Sequence, residues 1–254
     1  MQAREFLLEF SRLRCTARRG ANGRRDMSGY RPLQENALEE LRKRLAAGEF
    51  APGVVYSESR IASELGISRT PVKDALVRLA QDRYIDILPS RGFRLHEMSD
   101  QDVQETFQLR TAIEGFCAIS LARERGTDAG KETIALMQES LESMRGALAT
   151  GADGVVGDEF LASDLAFHRT LVAFSKNEEL MRLFDSYQHR LSMVAETSLL
   201  SPGRPAEAVE EQQSIFDAIA SGEDDGMGAY RAVEHHMRSA RDIVLAGRGQ
   251  SRAE

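Results

Sequence analysis

What this chain of 254 residues lacks narrows its class before any motif is read. It has only two cysteines, Cys15 and Cys117, and neither stands at the spacing of a metal-binding pair. That suits a reducing cytosol and a cytoplasmic location. No apolar run approaches the ~20 residues of a membrane span. The N-terminus carries cations but no clean apolar core and cleavage site, so no secretory signal is read. No nucleophile with an accompanying general base stands out, which argues against an enzyme. From Met98 to Gly247 there is no convincing strand pattern. Net positive charge is missing too: the formal charge is −7. With 42% apolar and 29% charged residues, the composition is that of a soluble globular protein with room for one or two cored domains.

The net charge changes meaning once it is divided. Residues 1–98 carry 18 Lys and Arg against 13 Asp and Glu, whereas residues 99–254 carry 15 against 27. One end is basic and the rest is acidic, the polarity of a protein that brings only one end to phosphates. Residues 1–29 are arginine-rich and read as a disordered tail. They are either a basic arm that adds phosphate contacts or a leader to a true start at Met27.

Leu33 to Ala47 follows as an amphipathic helix, with Ala37, Leu38, Leu41 and Leu45 on one side. Gly48 ends it, and Pro52-Gly53 turns the chain. Ser57 can cap the next helix, with Glu58 at its positive end and Ile61, Ala62 and Leu65 at helical spacing. Gly66 supplies the turn that stops it. Ser68 can cap a third helix, and Pro71 falls in its first turn, where a missing N–H costs little. Val72, Leu76 and Leu79 form its apolar stripe, while Arg69 and Lys73 project together from another face. Tyr84 to Leu88 reads as a strand, Pro89-Ser90-Arg91-Gly92 as a turn, and Phe93-Arg94-Leu95 as the return strand. These are the parts of a winged helix-turn-helix, with the cations at the exposed start of the helix that enters the major groove.

Gly48 to Leu95 resembles the DNA-binding domain of GntR-family bacterial transcription regulators, and ELGISRTPVKDAL carries the match. By that resemblance Arg69, Thr70, Lys73 and the wing residues Arg91 and Gly92 contact DNA. Two positions depart from the family pattern. Lys73 stands where arginine is usual, and lysine lacks the bidentate geometry for guanine. Many members have arginine at the position of Ser59; here the cation falls one residue later, at Arg60, which joins the expected DNA set.

Met98-Ser99-Asp100 opens a second domain. Ser99 and Asp102 have the spacing of a capping box, with Asp in place of Glu or Gln. Six helices are predicted, over residues 100–124, 128–149, 155–174, 178–200, 205–220 and 226–246. Short breaks between them imply an antiparallel bundle. The predicted fold is mainly α: a winged helix-turn-helix with a small β-hairpin wing over residues 30–97, a bundle of about six helices over 98–247, and a disordered tail over 248–254.

Polar residues interrupt three apolar stripes of the bundle. Asp164 and His168, four apart, share a face with Leu161, Leu165, Leu171 and Val172. Gln212 lies between Val209, Phe216 and Ile219. His236 borders Tyr230, Val233, Met237, Ala240 and Val244, while His235 turns to the polar side. Buried polar groups need partners. An Asp with two imidazoles suits a metal ion, or else a hydrogen-bonded cavity in which Asp164 pairs with one of the histidines.

FASDLAFHRTLV, EEQQSIFDAI and AYRAVEHHM resemble the ligand-binding FCD domain of the FadR subfamily, so the likeness spans about residues 34–246. It implies a divalent metal (zinc, nickel or manganese) on Asp164, His168 and His236. The third family histidine falls at Gln212, and a neutral amide oxygen is a weaker ligand for borderline metals. Arg110, four residues before Glu114, reaches an anionic effector or closes a structural salt bridge. The expected function is a ligand-responsive repressor that senses a small carboxylate. As a homodimer it would set two recognition helices about 34 Å apart on a near-palindromic DNA operator. The alternatives are a metal-free regulator that takes a larger ligand such as an acyl thioester, and a metal-dependent hydrolase.

Overall fold

The computed structural model describes residues 33–150 and 157–251. The expectations for the tail over 1–29 and for the last three residues fall outside these. The described residues form two compact units, one on each side of Glu97–Met98.

The first unit holds α1 (Leu33–Ala46), α2 (Glu58–Leu65), α3 (Arg69–Gln81), β1 (Ile85–Leu88) and β2 (Gly92–Leu95). Its core joins Leu41 of α1, Ile61 of α2 and Val72, Leu76 and Leu79 of α3 to Ile85 and Phe93 of the hairpin. Gly66 ends α2 in the left-handed conformation, at φ 65°. Ser57 and Ser68 occupy the N-cap positions with extended backbone, but neither side chain makes the expected cap hydrogen bond. β1 and β2 pair antiparallel with Leu88 opposite Gly92. One pairing was not foreseen: Tyr56 adds a bridge to the hairpin, its N–H donating to the Phe93 carbonyl at 2.7 Å and its carbonyl accepting from the Phe93 N–H at 2.9 Å. Phe50, Tyr56 and Phe93 then cluster with ring centroids 4.8–5.8 Å apart.

The second unit holds α4 (Asp100–Glu124), α5 (Asp128–Thr150), α6 (Asp158–Phe174), α7 (Glu178–Ser186), α8 (Gln188–Leu199), α9 (Arg204–Ser221) and α10 (Met227–Ser251), with a 3₁₀ turn at Glu223–Gly226. The capping box forms: the Asp102 N–H donates to Ser99 Oγ at 3.1 Å, and the Ser99 N–H donates to Asp102 Oδ2 at 2.9 Å. α4 packs on α10 and α6, α5 on α6, and α9 on α10.

Three expectations for this unit are corrected. The single helix predicted over 178–200 is two, broken at Tyr187, whose N–H bonds the Phe184 carbonyl three residues back and tightens the turn. The break lets Phe184 and the Leu191–Val194 face both reach the core. The last helix runs past Gly247 to Ser251, where a tail was expected from 248. Arg248 holds it there, donating from Nε to Asp100 Oδ1 at 2.9 Å and from its terminus to the Met98 carbonyl. The buried face of α6 is Phe160, Phe167, Leu171 and Val172 with Asp164 and His168; Leu161 and Leu165 are only half-buried.

Gly92 carries the tightest backbone constraint in the wing. Its φ is 120°, and a Cβ there would lie 2.0 Å from the Tyr56 carbonyl oxygen. Gly92→Ala is therefore expected to destabilise the winged unit by about 1–3 kcal/mol or more, read as a lower denaturation midpoint. An unchanged midpoint would show that the Tyr56 bridge yields freely.

Candidate functional site

Each unit carries one candidate site. In the winged unit, Ser57, Glu58 and Ser59 of the α2 start, Arg69 and Lys73 of α3, and Ser90, Arg91 and Gly92 of the wing line one concave surface of about 310 Å³. α3 presents its cations here because Pro71, Val72, Ala75 and Leu76 turn its other face into the core. Arg69 is exposed, and one terminal nitrogen lies 3.9 Å from Glu58, enough to steer it without neutralising it. The wing turn closes through the Arg91 N–H and the Leu88 carbonyl at 3.0 Å, with Ser90 left-handed at φ 61°. Thr70 is exposed at the start of α3 but does not line the concavity. Arg60 stands apart: its Nε donates to Glu64 at 2.8 Å, and Glu64 also takes Arg44 at 2.7 Å. Sequence reasoning missed Ser57, Glu58, Ser59 and Ser90, whose place depends on how the wing folds back beside α2.

In the helical unit, α4, α6, α9 and α10 bring Arg110, Glu114, Asp164, His168, Gln212 and His236 together, all buried. His168 Nδ1 lies 2.6 Å from Glu114 Oε2, and His236 Nδ1 lies 2.7 Å from Glu211 Oε2. The two carboxylates are themselves held by arginine. Arg110 Nε donates to Glu114 at 2.8 Å, and Arg204 grips both oxygens of Glu211 at 2.8 and 2.6 Å. With each Nδ1–H spent on a carboxylate, each Nε2 presents a lone pair. The two Nε2 atoms face each other at 3.3 Å, the rings nearly parallel. The Gln212 amide nitrogen touches Asp164 Oδ1 at 2.5 Å and His168 Nε2 at 3.4 Å. Neither Asp164–His pairing foreseen for a metal-free cavity carries the Asp here; Gln212 does.

Among the described residues, no three His, Cys, Asp or Glu side chains gather as a metal site. Asp164 and the two imidazoles therefore do not form one by themselves. The donor types present, imidazole and carboxylate, are nonetheless those a divalent cation takes. The two Nε2 atoms lie 3.3 Å apart, Gln212 bonds Asp164 beside them, and among the described residues the Gln212 Oε1 is buried without a hydrogen-bond partner.

A small cavity adjoins the cluster. It is lined by Arg110, Asp164, His236, Ser198 and Arg204 with Phe107, Val194, Ala195, Leu199, Ala208 and Ala240, and about 20 Å³ is open to a water-sized sphere. Arg204 and Glu211 were missed in the sequence. The only signal was their seven-residue spacing, which sets both on one face of α9.

Charge is balanced inside. Burial pushes Glu114 up, but Arg110 and His168 outweigh it and hold the carboxyl at about 2. Burial likewise opposes ionisation of Glu211, yet His236 and Arg204 hold it at about 2. Burial pulls the His236 imidazole below 6.5 against the hydrogen bond it donates to Glu211, so the neutral form is favoured. Burial, with Glu114 nearby, lifts the Cys117 thiol to about 12, which makes it an inert core group.

Known proteins match this architecture. Residues 33–95 match the family described as bacterial regulatory proteins, gntR family, and residues 105–239 match the FCD domain. An uncharacterized HTH-type transcriptional regulator in the TAR-I ttuE-ttuC' intergenic region of Agrobacterium vitis is 35% identical over 137 residues, 54% of this chain and 77% of that one. The probable D-xylose utilization operon transcriptional repressor of Paenarthrobacter nicotinovorans is 29% identical over 197 residues, 76% of this chain and 80% of its own length. The solved structure of E. coli McbR/YncC shares the fold with a TM-score of 0.62 at 21% identity, over 86% of this chain and 99% of that one. The chain belongs to the gntR family of bacterial regulatory proteins and carries an FCD domain; it is a transcription regulator and not an enzyme.

The depressed groups set an acid limb. Glu114 and Glu211 contribute stability that is present above 4.5 and lost as the pH falls towards 2. Neutral His236 contributes above 6.5 and less as the pH falls through its lowered value. Thermal unfolding midpoints are expected to be level from pH 8 to 7, to fall below about pH 6.5, and to fall more steeply below about 4.5. Glu211→Gln should flatten the steep part. A variant with the wild-type slope would remove Glu211 from the cause.

Proposed function

We propose that the protein is a homodimeric repressor of the FadR subfamily that a small carboxylate releases from its operator. For the DNA half, the grouping of Arg69, Lys73 and Arg91 on one concave surface carries the reading. Arg69 and Lys73 enter the major groove at the start of α3, Thr70 beside them. Arg91 reaches from the wing to a phosphate, with the Gly92 backbone next to it. Arg60, occupied by Glu64, is the least available member of the DNA set.

For the sensing half, the carrying observation is Arg110. It is 5% exposed and lines the cavity. Its Nε is given to Glu114, and among the described residues its terminal nitrogens have no hydrogen-bond partner. A carboxylate fits that fork in bidentate fashion, its carbon skeleton against Phe107, Val194 and Leu199. The cavity holds about one water, so a metabolite needs α8 and the start of α9 to move outward. That movement is the difference between two states that a ligand must exploit to change DNA affinity. Asp164, His168, His236 and Gln212 would hold a divalent metal, which when bound supplies a Lewis-acidic position for a carboxylate oxygen. A second reading, a metal-free regulator for a larger ligand such as an acyl thioester, is favoured by the Gln212–Asp164 bond, which gives the acid a partner without an ion.

Two expected outcomes test the two halves. Arg69→Ala should weaken operator binding by about 1–3 kcal/mol and relax base preference at one position; equal loss on every sequence would reduce Arg69 to a phosphate contact. In a thermal-shift screen of small carboxylates, a compound that raises the wild-type midpoint should give no rise with Arg110→Ala. A retained rise would place the anion elsewhere.

A further inference from the structure

Three cations line the concave surface of the winged unit, and they are not alike. Among the described residues, the side chains of Lys73 and Arg91 have neither a hydrogen bond nor an ion pair. Arg69 has one partner, Glu58, whose Oε2 lies 3.9 Å from a terminal nitrogen. Glu58 is also the one acid among the described residues that line this surface. The two belong to different helices: Glu58 opens α2 and Arg69 opens α3, so the turn at Gly66 sets the gap between them. The Glu58 side chain is 21% exposed and that of Arg69 69%, so the carboxylate is the better anchored and the guanidinium is the part that swings.

An acid is a liability on a surface that meets phosphates, because each phosphate that nears it is repelled. For bare affinity, glutamine would serve better at this position. What the acid supplies is a choice between acceptors. A free guanidinium goes to the nearest phosphate, which carries full charge. Beside Glu58, that phosphate must approach a carboxylate as well. Guanine offers N7 and O6, neutral acceptors that meet much less repulsion. At 3.9 Å the pair is too long for a hydrogen bond, so the N–H groups of Arg69 stay available to a base edge. Water leaves the interface as DNA docks, and the lower dielectric enlarges the difference.

We propose that Glu58 is a positioning residue for sequence recognition. It holds Arg69 off the phosphates so that Arg69 reads a base, and it leaves Lys73 and Arg91 to grip the backbone. The proposal rests on reading this surface as the one that meets DNA. Glu58 also stands in the first turn of α2, where an acid suits the helix end. That role alone would change stability and leave base preference untouched.

Fluorescence anisotropy of the full-length protein on two duplexes tests it. One duplex is selected by the wild type from a randomised pool, and the other is a scrambled sequence of the same composition. Glu58→Gln should bind the scrambled duplex at least threefold tighter and discriminate between the two at least tenfold less. Its salt slope on the selected duplex should steepen by about 0.9 for each Arg69 that moves to a phosphate. In an Arg69→Ala background, Glu58→Gln should change discrimination less than twofold, since no guanidinium is left to position. Unchanged discrimination in Glu58→Gln, with Arg69→Ala still relaxing base preference, would overturn the positioning role and leave the DNA reading standing; a lower melting midpoint alongside it would mark a helix-end role. A loss of discrimination that persists in full without Arg69 would also overturn it. No duplex selected by the wild type, or equal loss on both duplexes with Arg69→Ala, would overturn the base-reading role of Arg69 together with the proposal.

Discussion

Two carboxylate–imidazole pairs, one fully buried and one part-buried, organise the helical unit. Glu114 with His168 joins α4 to α6, Glu211 with His236 joins α9 to α10, and the meeting of the two imidazoles joins the pairs to each other. A carboxylate taken out of water is costly unless charge and hydrogen bonds replace the lost hydration. Arg110 and Arg204 do that, so each pair is the inner end of an arginine–glutamate–histidine chain running to the same point. The chains aim both Nε2 atoms at each other in the centre of the bundle, 3.3 Å apart, with the Gln212 amide beside them. Around it lies the hydrophobic core, with Phe167, Leu171, Ile215, Val233 and Met237 all buried, and Phe167 meets the His168 ring edge-on at 5.5 Å.

The winged unit solves the opposite problem. Its charges must stay outside, on a surface rigid enough to be read against a groove. Rigidity comes from beneath: Val72, Ala75, Leu76 and Leu79 anchor α3, and the Tyr56 bridge with the Phe50–Tyr56–Phe93 cluster anchors the hairpin. The close approach of Tyr56 leaves room for nothing larger than glycine at 92, so that residue's role in this structure is to let the wing pack. Arg91, one residue earlier, is thereby held at the tip.

Much of this was legible in the chain itself. ELGISRTPVKDAL announces two helices about a glycine turn because each signal in it is local: a left-handed Gly66, a proline in a first turn, an apolar stripe at helical spacing. The Ser99–Asp102 cap was readable for the same reason. Asp164, His168, Gln212 and His236 stood out as polar residues on apolar stripes, and the structure brings all four into one buried cluster. The break at Tyr187 left no trace, since no glycine or proline marks it; it arises from core demands on either side. The helix past Gly247 was hidden too, because the contact that holds it, Arg248 with Asp100, spans 148 residues.

The sequence by itself determined most helix starts and buried faces, though not the start at Gln188 or the whole buried face of α6, together with the hairpin, the basic and acidic halves, and the family. All of these depend on neighbours within a few positions of one another. Tertiary structure decided which polar group answers which. Glu114 and Glu211 look like ordinary surface acids until α6 and α10 deliver an imidazole to each. Gln212 looks like a lost histidine until its nitrogen is seen against Asp164 and its oxygen, among the described residues, without a partner. Those pairings are set by distances of a few ångströms between residues tens of positions apart, and periodicity along the chain carries no record of them.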